Sequence, residues 1–184
     1  MQIAETTTQK AMREEREAHI ARLNRQQNRL IDDCQKNALD GRTEGWYITL
    51  NTKAIIDERT DVDKVKFECD ILERQLRAFS SRLNEFCYRR RKSKSLRVMA
   101  GIEIGEKESR LHAHLIVAHS GDVDKTLHQV LREVAKQWQR VYEFDKVGFI
   151  RVEEIYDMHG LIGYVSKDLH VMLRAYKVDS VRPF

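Results

Sequence analysis

Proline is almost absent from this chain: Pro183 is the only one. Glycine is scarce as well, at eight residues. A chain so poor in turn formers and helix breakers suits long helices better than a loop-rich β fold. Cysteine is limited to Cys34, Cys69 and Cys87, an odd number at wide spacing. That argues against a disulfide framework and a thiolate zinc site, and reads as reduced thiols in a cytosolic protein. No apolar run reaches the roughly 18 residues a membrane-spanning helix needs. Met1-Gln2-Ile3-Ala4-Glu5 has no basic stretch followed by an apolar one, so it does not read as a secretory signal.

Charge is what the chain has in quantity. Charged residues make up 34% of it and hydrophobic residues 41%, the balance of a soluble globular protein. Its 184 residues suffice for one domain with a core plus an appendage. The net charge of +4 is a weak pointer to a nucleic-acid partner, and its distribution is more telling. Arg89, Arg90, Arg91, Lys92, Lys94 and Arg97 stand together with no acid among them. Such a run holds phosphates by counterion release. It is equally the make-up of a solvated helix end, where cations favour the dipole.

Hydrophobic periodicity sets the order of elements. Residues 8–36 read as a helical arm with a thin stripe at Ile20, Leu23, Leu30, Ile31 and Cys34. Asp40 to Gly45 read as a turn-like linker. Trp46 to Thr52 alternate as a strand. Val65, Cys69, Leu72, Leu76, Phe79, Leu83 and Phe86 form one stripe of a helix over 61–91. Leu96–Gly105 and Arg110–His119 read as strands joined by a four-residue loop. Asp122–Val141 is a second amphipathic helix, with Asp122 as candidate cap. Val147–Ile155 is a fourth strand, and His159–Ala175 a last helix. This is an α+β, ferredoxin-like or split βαβ pattern with an added helix. Two helices cover one face of an antiparallel sheet and leave the other face open. The domain limits are an arm at 1–40, a main domain at 45–176 and a tail at 177–184.

Two histidines lie in the third strand, within Arg110-Leu111-His112-Ala113-His114-Leu115. Side chains alternate along a strand, so His112 and His114 share a face while Leu111, Ala113 and Leu115 point into the core. Pairing Gly105 with Arg110 sets Glu103 opposite His112 and Gly101 opposite His114. A one-residue slip would bury Glu103 and both histidines, so the apolar pattern supports this register. Two imidazoles and a carboxylate with open positions suit Mn²⁺, Mg²⁺, Fe²⁺ or Zn²⁺. Glu106 in the loop is a second candidate for the third ligand. The bland reading is a pair of polar residues on an exposed sheet face.

Gly163-Tyr164-Val165-Ser166-Lys167 falls in the last helix. Tyr164 and Lys167 are three apart and therefore neighbours, off the stripe of Leu161, Val165, Leu169 and Met172. A phenol, with a pKa near 10, becomes a useful nucleophile when a cation lies close and the electrophile is polarised. On their own the two residues read as well as a surface tyrosine and a solvated lysine.

Taken together, Leu111-His112-Ala113-His114-Leu115-Ile116-Val117 resembles the histidine-hydrophobic-histidine motif of HUH endonucleases. Tyr164-Val165-Ser166-Lys167 looks like their tyrosine-x-x-lysine nucleophile motif. Trp46 to Thr52 looks like the first, loosely defined Rep motif. The histidine motif precedes the tyrosine, as in rolling-circle replication initiators and unlike conjugative relaxases. A single tyrosine falls in the motif, which resembles the one-tyrosine members.

The resemblance implies a replication initiator of a phage, plasmid or other mobile element, in the cytoplasm of a bacterial or archaeal host. It would nick and rejoin single-stranded or hairpin origin DNA. A divalent ion, Mn²⁺ or Mg²⁺, would sit on His112, His114 and Glu103. Tyr164 would form a 5′-phosphotyrosine, and Lys167 would stabilise phosphate charge or help orient the DNA and the metal site. Tyr47, Thr49, Asn51 and the basic run become candidate DNA contacts. No Gly-rich loop ending in Gly-Lys-Ser/Thr is present, so unwinding would fall to a host helicase and the replication machinery. Three readings compete: a single-strand transposase of the same chemistry, a non-catalytic module binding single-stranded nucleic acid, and a phosphodiesterase with no covalent step.

Overall fold

The computed structural model describes residues 10, 14–15, 17–18, 21–22, 25, 28–29, 31–57, 59–89, 94–105, 109–121, 123–142, 150–165 and 174–177. The described residues from 10 to 33 are helical, and a π-helical turn, Cys34–Ala38, follows. Then come β1 (Glu44–Ile55), α1 (Val62–Tyr88), β2 (Arg97–Ile104) and β3 (Arg110–His119). After them lie α2 (Leu127–Tyr142), β4 (Ile150–Glu154), α3 (Met158–Val165) and β5 (Arg174–Lys177).

Local chemistry explains the helix ends. Asp61 caps α1 by accepting a hydrogen bond from the Asp63 amide at 2.7 Å. At its other end Arg89 takes a left-handed conformation, and its amide closes on the Glu85 carbonyl. Thr126 and Gln129 form a reciprocal capping box at the start of α2. That box, rather than Asp122, starts the helix, which therefore begins at Leu127 and not at Asp122. Asp122 lies outside the described residues.

The sheet is antiparallel, with strand order β4-β1-β3-β2-β5. Its first four strands and two packed helices are the expected split βαβ arrangement. Leu72, Leu76, Phe79 and Leu83 of α1 and Val130, Val134 and Trp138 of α2 bury against Ile48, Leu50, Ala100, Ala113 and Leu115. Phe79 meets Trp138 edge to face, with ring centroids 5.8 Å apart. Trp138 Nε1 donates to the Asn51 carbonyl at 2.8 Å, which ties this core to the strand carrying the open-face residues.

Two expectations need correction. The last helix does not run from His159 to Ala175: its described part is Met158–Val165, and Arg174–Lys177 pair with β2 as an edge strand. Apolar alternation in so short a segment is indistinguishable from the end of a helical stripe. Second, the far face of the sheet is not wholly open. Ile31, Cys34 and Leu39 pack there with Met99, Ile116 and Ala118 of the sheet and Met158 and Ile162 of α3. The arm is thus partly core, at its C-terminal end. Met158 and Ile162 are the most buried residues of α3, with Leu161 and Val165 flanking them. Among the described residues no helix is long and apolar enough to cross a membrane.

Candidate metal centre and nucleophile

The β2–β3 register is the one the apolar pattern dictates, with Glu103 opposite His112 and Gly101 opposite His114. On the other side of β3, Asn51 lies opposite His112 and Thr49 opposite His114. One carboxylate and two imidazoles therefore share the uncovered half of the sheet face, while Leu111, Ala113 and Leu115 are buried beneath them.

Both imidazoles aim Nε2 at the same oxygen. His112 Nε2 is 2.6 Å from Glu103 Oε1, and His114 Nε2 is 3.1 Å from it. One ligand atom from each residue lies within 4.8 Å of the others, which makes Glu103, His112 and His114 a possible metal site. What stands behind each ring decides its orientation. His112 Nδ1 is 3.2 Å from the Arg110 carbonyl, an acceptor only, so that nitrogen carries the hydrogen. Nε2 then offers a lone pair towards a carboxylate oxygen, and a cation in that gap satisfies both. The donor set fits a divalent ion held by nitrogen and oxygen.

His114 Nδ1 faces two hydroxyls instead, Tyr47 Oη at 2.6 Å and Thr49 Oγ1 at 3.1 Å. A hydroxyl either donates or accepts, so this pair supports the ring in either neutral tautomer. Such partners fix ring orientation and raise ligand basicity. The Tyr47 and His114 rings stack with planes 7° apart. Burial pushes the Tyr47 phenol up to about 12, against the lowering effect of its Thr49 hydrogen bond, so it stays neutral and can serve as a donor. Burial also lowers the pKa of His114, opposed by the Glu103 carboxylate. Burial raises the Glu103 carboxyl, but the His114 and His112 imidazoles beside it outweigh that and hold it below the usual range. The neutral imidazole and charged carboxylate are the forms that bind metals.

Tyr164 stands over this cluster. Its ring lies edge-on to His114 with centroids 6.4 Å apart, and it is one of the exposed aromatics. α3 carries it there. Asp157 caps α3 by accepting from the Gly160 amide at 3.0 Å, and Met158 and Ile162 bury beneath it. Gly101 allows the close approach: a Cβ at that position would stand 3.0 Å from Val165 Cγ1. A Cβ opposite His114 would require Val165 to give by a few tenths of an ångström.

The other expected residues divide. Tyr47 and Thr49 turn their hydroxyls to His114. Asn51 is half-buried on the same face. Arg97 is largely buried and gives a hydrogen bond to Asp40 Oδ2 at 3.1 Å, beneath the covered half of the face. Arg89 is exposed at the end of α1, and Lys94 is half-buried just before β2. Lys167, Glu106, Arg90, Arg91 and Lys92 lie outside the described residues.

Sequence reasoning passed over Arg151 and Glu153. They pair with each other at 2.7 Å, and their register opposite Thr49 and Tyr47 puts them on the site's face. The alternation of Ile150, Val152 and Glu154 with Arg151 and Glu153 carried that signal.

No curated protein matches the chain significantly. The replication-associated protein ORF2 family matches residues 46–171, more than half of the chain and all of the strands and helices that carry the triad and Tyr164. By that match the protein belongs to the replication-associated protein ORF2 family.

Proposed function

We propose that this protein nicks and rejoins single-stranded DNA through a covalent bond to Tyr164, as the replication initiator of a phage, plasmid or similar element. The observation that carries this reading is the position of Tyr164: an exposed phenol on a capped, packed helix, edge-on to a histidine of the triad. A binding module has no need of a phenol beside such a cluster, and a purely hydrolytic site has no use for it.

The chemistry balances within the chain and its substrate. Glu103, His112 and His114 would hold a divalent ion, Mn²⁺ or Mg²⁺, which would draw charge from a phosphate oxygen. Tyr164 Oη attacks phosphorus and its proton leaves to solvent. The bond from phosphorus to the 3′ oxygen breaks, and that oxygen takes a proton as a 3′-hydroxyl. The 5′ side stays on the enzyme as a phosphotyrosine. Attack by another 3′-hydroxyl reverses the step and joins strands. Tyr47 and Thr49 keep His114 oriented throughout. Lys167, three residues after Tyr164, belongs to this proposal as a cation for the phosphate. Arg89 to Lys94 would bind the DNA backbone, and a host helicase would supply the unwound origin.

The test is intact-protein mass after mixing with hairpin oligonucleotides and Mn²⁺, beside Tyr164→Phe. A DNA adduct on the wild-type protein, absent from the variant, is the expected result. Cleavage with no adduct in either protein would replace the proposal with metal-assisted hydrolysis. Binding without cleavage would replace it with a binding module.

A further inference from the structure

We infer that Ile31, in the N-terminal segment and outside the family-matched region 46–171, is a positioning residue that sets how closely the Tyr164 helix sits over the metal triad. This rests on the proposed tyrosine chemistry.

Two glycines mark close contacts of α3, Gly101 in β2 and Gly163 within the helix itself. On the sheet side, Gly101 lets Val165 come down beside His114. On the side facing the arm, a Cβ on Gly163 would stand 3.2 Å from Ile31 Cδ1, so that methyl group already lies close to the helix. Gly163 is the residue immediately before the nucleophile. Ile31 itself is buried, at 5% exposure, in one apolar cluster with Cys34, Leu39, Met158 and Ile162. Two of the eight described residues of α3 are glycine, which weakens its intrinsic helix propensity. Its position is therefore set by what it is wedged between: Met99, Ile116 and Ala118 below, Ile31 and Cys34 beside it. The segment that ends the arm is thereby part of the catalytic unit.

Substituting Gly163→Ala separates positioning from folding. Alanine favours a helix over glycine, so a purely structural role predicts no loss. If Ile31 sets the approach, the added methyl pushes against Cδ1 and shifts Tyr164 by a few tenths of an ångström. A misplacement of that kind is expected to slow strand cleavage roughly tenfold. Ile31→Val removes Cδ1 itself, so the double variant Ile31→Val/Gly163→Ala should recover most of the rate.

The experiment measures single-turnover cleavage of the hairpin oligonucleotide that the wild-type full chain cuts best, with Mn²⁺. It also measures the Kd for that oligonucleotide and for Mn²⁺ alone. The expected result is a slowed Gly163→Ala, a rescued double variant and unchanged Kd values. A Gly163→Ala variant that cuts at the wild-type rate, or a double variant as slow as the single one, overturns the inference and leaves the proposed function standing. A wild-type protein that forms no adduct overturns the proposed function, and this inference with it.

Discussion

Tyr47 Oη lies 2.6 Å from His114 Nδ1, on the side of the imidazole away from Glu103. The tyrosine therefore acts on the triad through its histidine and not by touching a metal. Tyr47→Phe keeps the stacked ring and removes the hydroxyl. Mn²⁺ affinity, followed by calorimetry, should fall by about 10- to 100-fold. Thr49 at 3.1 Å is the second hydroxyl on that nitrogen, so the loss should be partial and Tyr47→Phe/Thr49→Val should exceed it. An unchanged Kd in both variants would remove Tyr47 from any supporting role.

His112 and His114 stand on the face of their strand opposite the main core, largely shielded by neighbouring side chains. His112→Ala or His114→Ala should therefore abolish high-affinity Mn²⁺ binding while leaving the circular dichroism spectrum unchanged. Chelation of the wild-type protein should remove strand cleavage in the same way. Full cleavage by either variant would show that the triad is not the reactive centre.

His119, at the far end of β3, gives a pH dependence of stability. Burial lowers its pKa from 6.5, with Arg42 acting in the same direction and Glu44 opposing. Its Nδ1 accepts a hydrogen bond from the Gly121 amide, which a proton on that atom would break. The unfolded chain thus takes up the proton first as pH falls below 6.5, and stability falls with it. Above 6.5 the contribution is fully present. The urea midpoint of the metal-free protein should be lower at pH 5.5 than at pH 7.5, with a smaller drop for His119→Gln. His114 shifts in the same direction, so part of the drop should survive. A drop of equal size in His119→Gln would assign the effect elsewhere.

The basic run is tested by salt. Changing Arg89, Arg90 and Arg91 to Gln should weaken single-stranded DNA binding and flatten its dependence on log salt by about 0.7 for each phosphate no longer neutralised. Fluorescence anisotropy with a labelled oligonucleotide over a salt series gives the slope. An unchanged slope would return these residues to a solvated helix end.

The strands and the triad were legible because they rest on period-two alternation and one register. Leu111, Ala113 and Leu115 had to be buried, and that choice alone brought Glu103 beside His112. The role of Tyr47 was less legible, because a tyrosine on an outward face says nothing about which neighbour its hydroxyl meets. Packing of residues 31–39 could not be read, since Ile31 and Cys34 form a stripe too thin to name a partner. The end of α3 was misjudged for a similar reason: Arg174–Lys177 find their place by pairing with Arg97–Ala100, a stretch remote in sequence.

β4 and β5 are the two outer edges of the sheet, four strand spacings apart, or about 19 Å. The chain leaves one edge, lays α3 on the face between, and returns to the other. Tyr164 thus lies between two strands that are both paired into the sheet. On the proposed chemistry, a DNA end joined to Tyr164 would be kept near the triad rather than released on a leash. The 3′-hydroxyl that completes the exchange would have to come to it, and its effective concentration there would decide whether strands are rejoined or exchanged.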